Sequence, residues 1–167
     1  MKNFLLVVFV VIMFFILWYF VSPLFLNKEV NDTAPSISQG SYNIPDVVMS
    51  DDIPDVKKDF YILAQGEFRD ADSSHKGSGT VLVYDGLLRF EDFTVTNGPD
   101  LRVLLVKHPN PQSVNDIEAG YVELAKLKGN IGNQNYDIPS DINWMDYSSV
   151  VIYCKPFRVI FSIASLR

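Results

Sequence analysis

The chain has 167 residues, 48% of them hydrophobic, with 14 Lys and Arg against 20 Asp and Glu, a net charge of −6. Lys2 is the only charge before Lys28, so the part that follows the opening apolar run carries 13 basic against 20 acidic residues, net −7. That balance disfavours nucleic acid and anionic lipid surfaces as partners, because both attract basic proteins. A single cysteine, Cys154, excludes an intrachain disulfide.

Phe4 to Val21 is eighteen consecutive apolar or aromatic residues. As a helix it would be roughly 27 Å long, close to the hydrocarbon thickness of a bilayer. Trp18 and Tyr19 stand near its far end, where an aromatic belt is expected. Secretory signals have a shorter apolar region and a small-residue cleavage site. Val21-Ser22-Pro23 is a poor match to such a site. The sequence therefore predicts an uncleaved signal-anchor over residues 1–26, crossing the membrane once. Lys2 before the run, with Glu29 and Asp32 beyond Lys28, orients the N-terminus to the cytoplasm and the rest of the chain to the outside.

Residues 27–59 are rich in Ser, Asn, Asp and Pro and read as an extracytoplasmic linker. Ile44, Val47, Val48 and Ile53 could dock on the domain that follows. Residues 60–167 are long enough for one hydrophobic core. They punctuate as short strands: Tyr61–Phe68, Thr80–Tyr84, Leu87–Phe90, Phe93–Thr96, Leu101–Lys107, Tyr121–Leu127, Gln134–Ile138, Ser148–Cys154 and Phe157–Ala164. Asp85-Gly86 and Asn97-Gly98-Pro99 are turn signals. A Pro-rich loop separates two of the strands over His108–Ala119, and a single helical turn is expected over Asn143–Asp146. Eight to nine strands at this spacing predict an all-β domain, an antiparallel β-sandwich or small barrel. In the last strand, alternation sets Phe157, Val159, Phe161 and Ile163 on one face.

In Ser148–Cys154, Val150, Ile152 and Cys154 share one face, and Val151, Tyr153 and Lys155 share the other. Lys155 prefers water, so the thiol is expected to point inward. A buried free cysteine packs as a small hydrophobe and is usually inert. Its place beside a Lys-Pro turn also puts it near the rim of the domain, where a reactive thiol could work.

Other chemistry is sparse. There is no G-x-S-x-G, H-E-x-x-H, phosphate-binding glycine loop or C-x-x-C. Asp70-x-Asp72-x-Ser74 begins like a calcium loop, but Val81 stands where a bidentate Glu would be needed. No metal site is assigned. His75 and His108 both lie in loops, and with Cys154 and Met145 they are the soft or imidazole candidates of the domain.

The order Gly66-x-Phe68, His75-x-Gly77-x-Gly79-Thr80-Val81, Leu88-Arg89-Phe90-x-x-Phe93, Asn97-Gly98-Pro99-Asp100-Leu101, Leu127-Lys128-Gly129-x-x-Gly132-Asn133-Gln134 and Ser149-Val150-x-Ile152-x-Cys154-x-x-Phe157 resembles the DM-thirteen domain. That resemblance implies an all-β, DOMON-like domain with a role in electron transfer at the cell surface. It implies that Cys154 is the family's characteristic cysteine. The redox group would be the bare thiol or a bound prosthetic group such as haem. His75 falls within the matching pattern and is the candidate partner of Cys154, as a hydrogen-bond partner of the thiolate or a co-ligand. With no fused redox domain, the electron partner would be a separate redox or cell-surface protein. The alternative is a non-catalytic binding or adhesion sandwich with a structural cysteine.

Overall fold

The computed structural model describes residues 2–21, 26–35 and 61–167. The docking expected of Ile44, Val47, Val48 and Ile53 lies outside the described residues. Helix α1 (Lys2–Val21) is apolar all round, and each side chain from Phe4 to Tyr19 is exposed. Among the described residues no helix is long and apolar enough to cross a membrane. The expected span is not met there: α1 has 20 residues, but it opens with the polar pair Lys2-Asn3. The apolar run that remains, Phe4–Val21, is about 27 Å of helix against ~30 Å of hydrocarbon.

Eight strands follow: β1 (Ala64–Asp70), β2 (Gly77–Tyr84), β3 (Leu87–Val95), β4 (Leu101–Val106), β5 (Tyr121–Lys126), β6 (Gln134–Asp137), β7 (Ser149–Cys154) and β8 (Val159–Ser165). They form one antiparallel sheet in the order β5-β4-β7-β8-β1-β2-β3-β6. The sheet curls until its two edges nearly meet. The chain leaving β5 spans the gap: Leu127 N–H donates to the Leu101 carbonyl on one side (2.8 Å). Lys128 N–H donates to the Tyr136 hydroxyl on the other (3.1 Å). The domain is thus all-β and barrel-like.

Two expected strands, Leu87–Phe90 and Phe93–Thr96, are one strand, β3. The irregularity is a bulge within β3, where Asp92 and Phe93 stand against Gly79 alone, between the pairs Ser78–Thr94 and Thr80–Glu91. The expected loop over His108–Ala119 holds a short helix, α2 (Val114–Glu118). Ser113 caps it and Asp116 returns the bond to the cap residue's own N–H. A single 3-10 turn, Trp144–Asp146, stands where a helical turn was expected.

The barrel interior contains Phe68, Val81, Val83, Leu88, Phe90, Phe93, Val103, Leu105, Val150, Ile152 and Cys154. Phe68, Phe90 and Phe93 meet with ring centroids 4.8–5.0 Å apart. A smaller cluster on the outer face of β4, β7 and β8 is covered by Ile117 of α2. That helix explains why Val151 is fully buried although it points away from the interior.

The last strand departs from simple alternation. Ile152 faces Ser162, but Tyr153 faces Ile160, so Phe161 is bulged. A bulge shifts side-chain parity by one residue. Phe161 and Ala164 therefore enter the interior, whereas Ile163 joins Ile160 beneath α2, not Phe161 as alternation alone suggests. Phe157 lies in the β7–β8 turn and is exposed. Replacing Phe161 with Ala is expected to cost about 3–5 kcal/mol in chemical unfolding; a change under ~0.5 kcal/mol would mean the ring is not core.

The start of the expected linker is a strap on the barrel. Glu29 forms a parallel bridge with Ile131. Val30 N–H donates to the Ile131 carbonyl (3.0 Å) and Asp32 N–H to that of Asn133 (2.8 Å). The Asp32 carboxylate accepts from Lys128 Nζ (2.6 Å) and Asn135 N (2.8 Å), which holds its pKa below the usual value. Buried Arg89 donates to the Asp32 carbonyl (3.2 Å) and to Asn135 Oδ1 (2.8 Å). Gly129 makes room for the strap, since a Cβ there would lie 2.3 Å from the Lys28 carbonyl oxygen. The atoms such a Cβ would meet all belong to the strap. Gly129→Ala should therefore cost about 1–3 kcal/mol in the full chain. In a chain lacking residues 26–33 it should cost under ~0.5 kcal/mol. Equal costs in both backgrounds would show that the strap is not what Gly129 accommodates.

Candidate redox site at one end of the barrel

Cys154 ends β7 and has no exposed surface. It faces inward beside Val150 and Ile152, as strand parity predicts. Its thiol donates to the Pro99 carbonyl at 3.1 Å. Cys154 also pairs with Leu101 of β4 on one side and Val159 of β8 on the other. The turn Asn97–Asp100 thus forms its cover. Asp100 sits there at φ 50, in the left-handed region that non-glycine residues rarely occupy.

The electrostatics keep the thiol protonated. Burial pushes its pKa up; a hydrogen bond from the Phe157 backbone pulls it down by less, and the Asp100 carboxylate adds the smallest push, upward. Arg102 bonds Asp100 through Nη2 at 2.7 Å and lowers the Asp100 pKa, so that carboxylate stays ionised. The other arm of Arg102 reaches Glu123 (2.8 Å), which also meets Lys155 (2.9 Å). This set of charges fences the outer side of the thiol.

His75 lies in the loop between β1 and β2. Its ring rests on Phe161 with centroids 4.3 Å apart, and its Nδ1 is 2.7 Å from Asp72 Oδ2. A Cβ on Gly98 would touch the same Phe161 ring at 2.6 Å. The contacts therefore run from the His75 ring to Phe161, to Gly98-Pro99 and to the thiol. His75 belongs to the Cys154 end of the barrel, with its contacts made to Phe161 and Asp72. His108 lies at the other end of β7, where Ser149 Oγ donates to its carbonyl (2.7 Å).

Asp70 and Asp72, read as a partial calcium loop, spend their carboxylates locally. Asp70 accepts from Lys76 Nζ (2.8 Å) and Gly77 N (3.0 Å). Asp72 accepts from the N–H groups of Ser74 and His75 (2.7 and 2.8 Å) and from the His75 ring. Among the described residues no group of three His, Cys, Asp or Glu side chains could hold a metal. Nor do the residues fit a haem. Aromatic rings in contact fill the middle of the barrel, the His75 ring is engaged on one face and one nitrogen, and His108 lies a strand's length from Cys154.

The sequence reading named Cys154 and His75 but missed what surrounds them: Asp72, the Pro99 carbonyl, Asp100 and Phe161. Asp72 was findable, because an Asp three residues before a His in a Ser-rich loop is an Asx-turn signal. The Pro99 contact joins residues 55 apart and has no local signature.

The architecture defines an all-β barrel with a single covered thiol at one rim. A family model described as Electron transfer DM13 matches residues 67–166. The chain belongs to that family, and its role is related to electron transfer. No curated protein and no solved structure matches the chain.

The bond from His75, with the two backbone bonds, holds the Asp72 carboxyl down at about 2, below its ordinary 3.8. The clamp on this loop is therefore fully present above pH ~4 and is lost as pH falls through about 2. A carbon-detected NMR titration should show the Asp72 midpoint near that value; a midpoint at the ordinary carboxylate value would exclude the contact in solution.

Proposed function

We propose that this chain is a membrane-tethered, extracytoplasmic electron-transfer module that acts through Cys154 on a separate redox or cell-surface protein. The apolar run Phe4–Val21 behind Lys2 supports the tether and its orientation. The exposed, all-apolar surface of α1 supports it as well, because such a helix needs an apolar environment.

One observation carries the role of the thiol: Cys154 sits at the end of its strand under a turn that contains a strained residue, Asp100. Strain of this kind is relieved when the segment moves. Closed, the site holds a protonated, covered thiol. Open, the thiol loses its proton to water and the thiolate attacks a disulfide of the partner. A bond forms between Cys154 sulfur and one partner sulfur, and the partner's S–S bond breaks. The second partner sulfur leaves as a thiolate and takes up a proton. Cys154 is oxidised and the leaving sulfur is reduced, so electrons and protons balance without a prosthetic group.

A second reading draws on the same burial. In it the domain is a non-catalytic binding or adhesion module and the thiol only packs, since a desolvated thiol is unreactive. Kinetics separate the two. The reduced full chain, in detergent, is mixed with an aromatic disulfide reagent, and thiol consumption is compared with global unfolding followed by circular dichroism. Consumption faster than global unfolding, and none in Cys154→Ser, is the expected result. Consumption only at the rate of global unfolding would remove the redox role and leave the binding module.

A further inference from the structure

We infer that the barrel stands on the membrane with its Cys154 end down, the β7–β8 turn Lys155–Arg158 entering the headgroup layer beside α1. This rests on the tether proposed above and adds an orientation to it.

The chain between anchor and barrel is short. Six residue steps separate Val21 from Asn27, a reach of at most ~22 Å. Asn27 is fixed on the barrel, where its Oδ1 accepts from Asn97 Nδ2 (2.8 Å) and Asn130 Nδ2 (3.0 Å). The next residue is held by a 2.7 Å bond from Lys28 N to Asn130 Oδ1. Asn97 opens the turn that covers the thiol, and Asp100 of that turn accepts from Lys155 N (3.4 Å). The entry point of the strap and the β7–β8 turn therefore share one end of the barrel.

The direction of the strap agrees. It runs parallel to the segment Ile131–Asn135, and β6 carries that direction on to Asp137, beside Leu87 at the far end. From Asn27 onward the chain climbs away from α1. The far end, marked by the Asp85-Gly86 turn and Asp141, is a strand's length of ~20–30 Å from the entry point. It would face the bilayer only with the connection stretched to its full ~22 Å along the barrel wall, or with the strap drawn off its bonds.

The chemistry of the near end suits a lipid interface. Phe157 is 70% exposed at the tip of the turn, and Lys155 and Arg158 beside it are also exposed. An aromatic ring flanked by long basic side chains places apolar area at the acyl boundary while the charges reach water. Leu26, 66% exposed, lies where the strap enters. The orientation restricts the partner of Cys154 to a protein carried by, or docked on, the same membrane.

The test uses the full chain in phosphatidylcholine vesicles, with Cys154→Ser and a fluorophore on Phe157→Cys or on Asp141→Cys. Nitroxide-labelled lipids supply the quencher, and circular dichroism checks the fold of each variant. A repeat with Cys154 retained guards against an effect of the serine. Quenching of the label at 157 but not at 141 is the expected result. No quenching at 157 in a chain that floats with the vesicles overturns the orientation and leaves the tether standing. Equal quenching at both positions overturns it too. Failure of the chain to float with vesicles removes the tether and this inference together.

Discussion

The barrel depends on a corner in β1. Its first residues, Ala64–Glu67, pair with β2, and its last, Phe68–Asp70, pair with β8. One strand thus joins the two halves of the sheet, and the second half must cross it closely. Gly66 permits that approach: a Cβ there would stand 2.4 Å from the Ser165 carbonyl oxygen. Once β8 lies across the corner, Ser162 Oγ donates to the Arg69 carbonyl at 2.8 Å, and its hydroxyl is satisfied in a buried position. Phe68, just past the corner, then drops between Phe90 and Phe93. A larger residue at 66 would push β8 outward and open the interior that these rings fill.

Closure on the other side is polar. Gln134 is fully buried and bonds the Gly129 backbone in both directions, Nε2 to its carbonyl (2.9 Å) and Oε1 from its N–H (3.2 Å). The Tyr136 hydroxyl donates to the same Oε1 at 2.6 Å. Burial raises the pKa of Tyr136, so it remains a neutral donor there. Each member is partnered, which is what makes a buried polar network tolerable. These bonds fix residues 129–135 as the ledge on which the strap lies. The same ledge therefore closes the sheet and fastens the chain that leads to α1.

What the sequence disclosed follows the range of the interactions. Parity in β7 placed Cys154 inward because six residues of period two are enough to set a face. The Asp85-Gly86 hairpin was equally local. The bulge at Phe161 was hidden, because it exists only in the pairing of β8 with β7 and the residues around it carry no signal of it. The helix α2 stands in a Pro-rich stretch expected as a loop, and its one local signal is the capping pair Ser113 and Asp116. The strap was not legible: Lys128 and Asp32 lie 96 residues apart, and a run of Asn, Asp and Ser looks the same docked or free. For the site, the sequence supplied two residue names; the geometry supplied the cover, the fence of charges and the separate attachment of His75.

The covered thiol is compatible with a redox role for a reason that burial alone conceals. Outside the cytoplasm a lone, exposed, ionised cysteine is steadily lost to oxidation or to chance disulfides. On the reading proposed above, a module with one thiol would keep it protonated and out of contact until its partner arrives. Arg102 serves that end indirectly, by holding Asp100 ionised next to the sulfur. The thiol is thus disfavoured as a thiolate by the same turn that hides it, and moving Asn97–Asp100 would remove the cover and the adjacent negative charge together. Protection and activation then depend on one segment, and the static burial of Cys154 is the same whether the thiol is structural or gated. What differs is the free energy needed to move that turn compared with unfolding the barrel; strain in the left-handed backbone at Asp100 is released in either event, so it takes the same amount from both and the larger share from the smaller cost.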